Sequence, residues 1–493
     1  MPVSAPLTFS FDNTFARQMA GFYTVQGPAP APRPQLVLFN PPLAERLGFP
    51  PALPDVAAAA EVFSGHRLPA GAEPLAQVYA GHQFGSFVPR LGDGRALLIG
   101  EVVAPDGARF DLQLKGAGPT PYSRGGDGLS ALGPALREFL ISEAMAALGI
   151  PTTRALAVVT TGSPVFRDGI HAGAVLTRIA ASHIRIGTFQ YFAARGEEER
   201  VRQLADYCIA RHYPHIGGRE RYLDFFGAVL AAQARLIARW MSVGFVHGVM
   251  NTDNTTICGE TIDYGPCAFL DTYDRRKVFS SIDEQGRYAF GNQPVIAQWN
   301  LARLGETLIG LIDPDEARAI DRLTEVLGTF PALYEQHWLD GMRAKLGLAT
   351  ERAGDADLVL ALLTRMETGR VDFTGAFRAL ADVVRGQEVG FAALFGGPGA
   401  IDGWLDDYRR RLAQEGGDAA ARAAAMDRVN PVYIPRNHLV EAAIRAAVET
   451  GDLAPFRRLF TVLSAPFTDQ PGAEECARPS PGHDREFRTF CGT

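Results

Sequence analysis

The chain has 493 residues, a formal charge of −7 and an apolar fraction of 47%. This length suffices for several domain-sized units or for one large two-lobed enzyme, and the apolar fraction is typical of a globular protein. The negative charge gives no electrostatic reason to expect nucleic acid as a partner. No apolar run approaches the roughly eighteen residues that a membrane helix needs, so we expect no membrane partner.

Cysteine content and the N-terminal sequence bear on the cellular compartment. The five cysteines are odd in number and include no CxxC pattern, so a complete set of internal disulfides is impossible. The N-terminus has neither the apolar core of a signal peptide nor the composition of a transit segment. We therefore expect a cytoplasmic protein.

Local patterns divide the chain into four segments. We expect an N-terminal extension at 1–75, a mostly β lobe at 76–180, a helical lobe at 181–465 and a tail at 466–493. The tail is rich in Pro, Gly and charge, and it carries Cys491. We expect that thiol to be exposed and open to oxidation rather than catalytic.

The 76–180 segment predicts a small sheet and one helix. Runs with β-strand character flank Pro105-Asp106-Gly107, which is a strong hairpin signal. Apolar residues at i+4 spacing, a proline in the first turn and a glycine after the last turn are typical of a helix. The strands are expected at 96–103, 108–115, 155–161 and 174–179, and the helix at 132–148.

The stretch from His247 to Leu270 carries the densest set of chemically useful residues. Asp253-Asn254 is followed ten positions later by Asp263-Tyr264-Gly265. A carboxylate beside an amide and a second carboxylate downstream can supply oxygen ligands to Mg²⁺, which takes its other ligands from water and phosphate. We expect two short strands here, 256–257 and 261–262, joined in a hairpin. A polar hairpin without any site is the alternative.

Two upstream residues strengthen the site interpretation. Lys115 ends a predicted strand, and Glu138 lies near the start of the next helix. Kinases hold an ammonium group over nucleotide phosphates with such a strand lysine and helix glutamate. An unrelated surface lysine and helix glutamate remain the alternative for these two residues alone.

Arginines and glycines at strand ends suggest a site for phosphate groups. Arg95 follows the turn that contains Gly92 and Gly94, and Arg178 and Arg185 flank the end of a strand. Guanidinium groups bind phosphate oxygens through paired hydrogen bonds, and glycines let backbone N–H groups approach an anion. Each arginine could equally be a solvated surface charge, and the glycine pattern matches neither the protein-kinase nor the Walker A motif.

The loop departs from kinases at one point. His247 resembles the histidine of the kinase His-Arg-Asp motif, but Gly248 and Val249 follow it. We interpret His247 as a residue that positions the loop. Asp253 is then the one carboxylate left in this loop to accept a proton.

Several long segments resemble the selenoprotein O family, the bacterial YdiU-like proteins. They cover most of the chain, and the C-terminal Phe-Cys-Gly-Thr, with its cysteine third from the end, fits as well. The segments are VYAGHQFGSFVPRLGDGRA, QLKGAGPTPYSRGGDGLSALGPALREFLISEAMAALGIPTTRAL, GAVLTRIAASHIRIGTFQYFA, HGVMNTDNTTICGETIDYGPCAFLD and NPVYIPRNH.

The resemblance implies an α+β, two-lobed protein-kinase-like fold with an N-terminal extension and a helical C-terminal extension. It also implies transfer of AMP from ATP, or UMP from UTP, to Ser, Thr or Tyr hydroxyls of proteins. Asp253 would accept the proton, Asn254 and Asp263 would bind Mg²⁺ or Mn²⁺, and Glu138 would support Lys115. The nucleotide-binding residues would be Gly92, Gly94, Arg95, Lys115, Asp127, Gly128, Arg178, Arg185 and Asp263.

Two other functions stay open at this point. One is an ordinary kinase that transfers the γ-phosphoryl group, which the missing His-Arg-Asp motif argues against. The other is an inactive nucleotide-binding scaffold, which the retained Lys115, Glu138, Asn254 and Asp263 argue against.

Overall fold

The structure is a computed structural model that describes residues 9–397, 399–482 and 487–489. Its architecture is mixed α and β: the first 180 residues build an antiparallel sheet, and helices dominate the rest. None of the helices in these ranges is long and apolar enough to span a bilayer. Cys491 lies outside the described residues, so its redox role stays a prediction.

Twelve strands are present in the described ranges, and the four predicted in the 76–180 segment are among them as β6, β7, β9 and β10. Alternating or continuous burial along them explains why these segments are extended. Their bounds are β1 Tyr23–Val25, β2 Gln35–Phe39, β3 Leu75–Gln77, β4 Gly81–Gln83, β5 Ser86–Val88, β6 Ala96–Val103, β7 Arg109–Lys115, β8 Ser130–Ala131, β9 Arg154–Phe166, β10 Ile170–Ala180, β11 Phe245–Val246 and β12 Ala268–Phe269.

The main sheet has the order β1-β3-β6-β7-β10-β9-β2, with β8 also paired to β10. Its two outermost strands, β1 and β2, come from the 1–75 segment. This segment therefore supplies both edges of the sheet, and the 76–180 segment supplies most of its centre. In the centre, Lys115 of β7 is opposite Ala96 of β6 and Leu176 of β10. This register places the end of β7 beside the start of β6.

Eighteen α-helices occur in the same ranges. They are α1 Thr14–Gln18, α2 Pro41–Arg46, α3 Val56–Phe63, α4 Leu132–Ala147, α5 Ile186–Ala193, α6 Glu198–His212, α7 Arg221–Val243, α8 Gln293–Ile312, α9 Glu316–Leu327, α10 Phe330–Lys345, α11 Asp355–Gly369, α12 Phe373–Val384, α13 Val389–Leu394, α14 Asp402–Leu412, α15 Ala419–Asp427, α16 Asn437–Arg445, α17 Ala454–Leu463 and α18 Glu474–Ala477.

Helix α4 lies between the sheet and the C-terminal helices. Its residues Leu136, Leu140 and Ala144 are buried, and it packs on β9 and β10 on one side and on α16 and α17 on the other. Phe139 contacts Phe460 of α17 with ring centroids 5.4 Å apart. Glu138 is therefore held by a helix that is packed on two sides.

The predicted hairpin at 256–262 is wrong. Thr256 forms an antiparallel bridge with Arg185, and Thr261 forms a parallel bridge with Thr152. The two segments therefore pair with other parts of the chain instead of with each other. Local alternation could not reveal this, because the partners are about 70 and 110 positions away in the sequence.

Candidate active site

The predicted pair of Lys115 and Glu138 is confirmed. The Lys115 ammonium donates to Glu138 Oε2 at 2.5 Å and to Asp263 Oδ1 at 2.9 Å. A strand, a helix and the Asp-Tyr-Gly turn therefore meet at one ammonium group. Sequence reasoning proposed the first contact, whereas the second required the tertiary structure.

Two of the predicted arginines bind the same carboxylate. Arg178 Nη1 donates to Asp263 Oδ1 at 2.7 Å and to Glu138 Oε1 at 3.1 Å. Arg185 Nη1 donates to Asp263 Oδ2 at 2.6 Å and to the backbone carbonyl of Asp253 at 2.6 Å. We call Lys115, Glu138, Arg178, Arg185 and Asp263 the site cluster.

The site cluster contains more positive than negative charge. Three cations face two carboxylates, which leaves a formal excess of one positive charge. Burial alone would raise the pKa of Asp263, but Lys115, Arg185 and Arg178 hold that pKa well below its ordinary value. Burial likewise opposes ionisation of Glu138, and Lys115 and Arg178 lower its pKa on balance. Both carboxylates are therefore ionised at neutral pH.

The site cluster is not fully sealed. The Asp263 side chain is 22% exposed and that of Lys115 is 12% exposed, whereas Arg178 is only 2% exposed. Asp263 also has a backbone φ of 64°, a left-handed conformation that is uncommon for residues other than glycine. Strained residues of this kind are concentrated at functional sites.

Asp253 and Asn254 lie in a short 3-10 turn next to the site cluster. Gln83 Nε2 donates to Asp253 Oδ2 at 3.1 Å, while Oδ1 is buried without a hydrogen-bond partner among the described residues. Burial raises the pKa of Asp253 to about 6, and the Gln83 hydrogen bond opposes the rise. The side-chain N–H of Asn254 donates to the Val249 carbonyl at 2.9 Å, so the side-chain oxygen of Asn254 takes no part in that hydrogen bond.

His247 has the geometry of a loop-positioning residue. It is completely buried, and its Nε2–H donates to the Ile262 carbonyl at 2.8 Å. Its ring stacks on Trp240 with centroids 5.4 Å apart. His247 thus connects the loop that contains Asp253 to the residue that precedes Asp263.

The turn with Gly92, Gly94 and Arg95 lies at the start of β6. The Gly116 amide donates to the Arg95 carbonyl at 2.6 Å, so Arg95 is next to the end of β7. A Cβ at Gly92 would lie 2.5 Å from the Tyr122 ring, and one at Gly94 would lie 2.8 Å from the Tyr122 carbonyl. Both glycines are therefore needed for close packing against the glycine-rich loop, residues 116–128.

Asp127 and Gly128 belong to that glycine-rich loop and make no contact with the site cluster. The Asp127 carboxylate is paired with Arg167 at 2.8 Å and 2.9 Å. Gly128 has a φ of 67°, and a Cβ there would lie 2.2 Å from the Gly118 backbone. The structure explains the glycine by backbone packing and assigns no ligand to either residue.

A buried carboxylate missed by the sequence reasoning lies behind Arg178. Asp93 Oδ2 accepts from Gln113 Nε2 at 3.2 Å, and Gln113 Oε1 accepts from Arg178 Nε at 3.1 Å. Burial raises the pKa of Asp93 to about 6, although Arg185 opposes this. Its place inside the turn 91–95 was the one available signal in the sequence.

Comparison with known proteins identifies the family. A sequence model described as protein adenylyltransferase SelO matches residues 6–464. The chain belongs to this family. A protein of Cereibacter sphaeroides named protein nucleotidyltransferase YdiU is 59% identical over 490 residues, which is 99% of this chain and all of that protein. Proteins of the same name from Rhizobium meliloti and Rhodopseudomonas palustris are each 56% identical, over 98% of this chain and 99% of theirs.

The family identifies the chain as an enzyme of nucleotidyl transfer to proteins. The site cluster and the 251–254 loop are therefore the natural candidates for the active site. In the part of the chain that the structure describes, no three His, Cys, Asp or Glu side chains form a metal-binding group by themselves.

Proposed function

We propose that this enzyme transfers AMP from ATP to Ser, Thr or Tyr hydroxyl groups of target proteins, with UMP from UTP as a related donor. The observation that carries the proposal is the excess positive charge of the site cluster. ATP carries close to four negative charges, and Lys115, Arg178 and Arg185 provide the cations that phosphate oxygens require, in a cluster that is partly open to solvent at Lys115 and Asp263.

The fold that we propose is a two-lobed protein-kinase-like one. Its support is the antiparallel sheet whose strand lysine is paired with a helix glutamate, followed by helices and an Asp-Tyr-Gly turn. In this assignment the sheet forms the first lobe and the helices after residue 181 form the second. Asp263 then bridges the lobes, because it contacts Lys115 of β7 and Arg185 at the start of α5.

Asp253 is the proton acceptor in this proposal. The acceptor oxygen attacks the α-phosphorus, a new P–O bond forms, and the bond from the α-phosphorus to the bridging oxygen breaks. The hydroxyl proton goes to the Asp253 carboxylate, and the electron pair of the broken bond leaves with pyrophosphate. Arg178, Arg185 and Lys115 offset the charge on the phosphoryl oxygens and on the leaving group.

The residues present also fit a divalent cation. The Asn254 oxygen is left available because the amide N–H of that side chain is used on Val249, and Asp263 is ionised. Asn254 and Asp263 would hold Mg²⁺ or Mn²⁺, and phosphate and water would complete its oxygen ligands. A bound cation would neutralise phosphate charge there.

The nucleotide-binding set that we propose extends to the neighbouring loops. Arg95 has no hydrogen bond or ion pair from its side chain in the described ranges, and it is next to the end of β7. Gly92 and Gly94 shape the turn before it. Asp127 and Gly128 would reach the nucleotide only from the glycine-rich loop, and their support is the family resemblance rather than a contact.

The test compares ATP labelled at the α-phosphorus with ATP labelled at the γ-phosphorus. Each is incubated with the full chain, Mg²⁺ or Mn²⁺ and a protein rich in Ser, Thr and Tyr. We expect protein-bound label from the α position only, with pyrophosphate released. Label from the γ position only, with ADP released, would show that the enzyme is a kinase, and no label from either would favour an inactive scaffold.

A further inference from the structure

The hairpin formed by β4 and β5 lies on the loop that carries Asp253. The His82 amide donates to Thr252 Oγ1 at 2.7 Å, and the Phe84 amide donates to Asn251 Oδ1 at 3.1 Å. Tyr288 reinforces the second contact, because its hydroxyl donates to the same Asn251 oxygen at 2.6 Å. The hairpin and the loop are therefore fixed to each other at the two residues that directly precede Asp253.

Within that hairpin, Gly81 and Gln83 contact the two oxygens of the Asp253 carboxylate. Gln83 Nε2 donates to Oδ2 at 3.1 Å. The α-carbon of Gly81 faces Oδ1 so closely that a Cβ there would lie 2.3 Å from this oxygen and 2.8 Å from Cγ. Such a distance is far below any van der Waals contact, so only glycine leaves room for the carboxylate in its present orientation.

These two contacts fix the rotation of the carboxylate. The backbone of Gly81 packs against Oδ1 and prevents a ligand from reaching it, and Oδ1 is buried without a hydrogen-bond partner among the described residues. Gln83 holds Oδ2 through a neutral donor, and a carboxylate oxygen keeps a second lone pair after accepting one hydrogen bond. Oδ2 is therefore the oxygen available to a hydroxyl group.

We infer that Gly81 and Gln83 are positioning residues for Asp253, and that Gln83 directs Oδ2 toward the acceptor hydroxyl. The inference rests on the proposed role of Asp253 as proton acceptor. It does not depend on which phosphorus is attacked, since a hydroxyl acceptor must lose its proton in either reaction. A misplacement of about 1 Å in a catalytic group can lower a rate by roughly a hundredfold.

The first experiment replaces Gln83 with methionine, which has a similar shape but no N–H donor. We expect kcat of α-label transfer to fall by roughly ten- to a hundredfold, while the KM and the calorimetric Kd for ATP change by less than about twofold. Gly81→Ala should produce a similar kcat loss by displacing Oδ1. Ser86→Ala is the matched control, because Ser86 is exposed and lies across the hairpin from Gln83.

A second measurement does not require activity. If Gln83 acts through Asp253, the melting-temperature shifts of Gln83→Met and Asp253→Ala should be non-additive in the double variant. Unchanged kcat, weaker ATP binding with normal kcat, or additive melting shifts would overturn the inference. A melting temperature more than about ten degrees lower for Gln83→Met would also overturn it, because the residue would then be structural.

If wild-type enzyme transfers no α-label, the proposed function fails, and the melting cycle still decides whether Gln83 holds Asp253.

Discussion

Two of the buried ionic groups in the described residues differ in charge and in access to solvent. The site cluster has three cations and two carboxylates, with Asp263 22% exposed. The second group, which we call the interior cluster, consists of Glu101, Asp111, His183 and Arg211. Its carboxylates are only 1% and 2% exposed.

The interior cluster is satisfied from within the protein. Arg211 donates to Glu101, to Asp111 at 2.7 Å and to the Ala181 carbonyl. Burial lowers the pKa of His183 to about 4, although its hydrogen bond to Asp111 opposes this, so the ring is neutral at pH 7. One cation and two carboxylates then leave a formal charge of −1, opposite in sign to that of the site cluster.

This difference distinguishes the proposed binding site from a structural element. A sealed, negatively charged cluster cannot bind an anionic nucleotide. The ion pairs of the interior cluster instead hold β6, β7 and α6 together. The partly exposed positive cluster retains charge that its own carboxylates do not neutralise. Burial of charge alone therefore does not distinguish the proposed active site, because structural ion pairs are buried as well; the sign of the residual charge and its exposure support the proposal.

The largest effect should come from Asp263→Asn. Asparagine tolerates the left-handed conformation of residue 263, so the fold should persist. We expect transfer to fall by about a thousandfold, because the negative charge that organises three cations, and that would hold the proposed metal, is lost. Steady-state transfer of α-label and circular dichroism are the measurements, and undiminished turnover would remove Asp263 from the site.

Arg211→Met, in the interior cluster, should lower the stability of the fold and leave ATP binding nearly unchanged. Removal of the one cation would leave two buried carboxylates without compensation, which costs about 3–5 kcal/mol of folding free energy. Denaturant unfolding measures this loss. The Kd for ATP of the folded fraction should stay within about twofold of wild type; a large change in ATP affinity with intact stability would reverse our assignment of the two clusters.

Lys115 and Glu138 should act as a unit, because they are 2.5 Å apart. We expect Lys115→Met and Glu138→Gln each to lower kcat/KM by roughly ten- to a hundredfold, and the double variant to be little worse than either. A double-mutant cycle on α-label transfer provides the measurement. If the double variant instead lost kcat/KM by the product of the two single losses, this would contradict a functional contact between the two side chains.

The smallest effect concerns Glu260, which accepts a hydrogen bond from the Ala181 amide beside the interior cluster. Burial raises its pKa from 4.5 to about 7. Its contribution to stability is therefore complete below pH 4.5 and is lost as the pH rises through 7. With allowance for its partial exposure, we expect wild type to lose about 1–2 kcal/mol across this window.

Glu260→Gln should remove that part of the pH dependence, because the glutamine oxygen can still accept from Ala181 without ionising. Urea unfolding at several pH values between 4.5 and 8 compares the two proteins. Parallel stability curves for wild type and variant would show that Glu260 is not the group that titrates.

The sequence by itself determined the local elements and the types of residue at the site. Turn residues and alternation indicated β6 and β7, and i+4 spacing indicated α4, since these signals depend on neighbours within a few positions. The positions of Lys115 and Glu138 at a strand end and a helix start suggested their pairing and left an unrelated lysine and glutamate as the alternative. The family followed from long segments that run through most of the chain.

Tertiary structure alone decided which distant residues meet. Asp263 contacts Lys115 and Arg185 across 148 and 78 sequence positions, and Gln83 contacts Asp253 across 170. The segments around Thr256 and Thr261 looked like a hairpin locally, yet each forms a bridge with a distant segment. Local patterns set the preference of a segment for helix or strand, but the partners of a side chain depend on packing between elements that no short window contains.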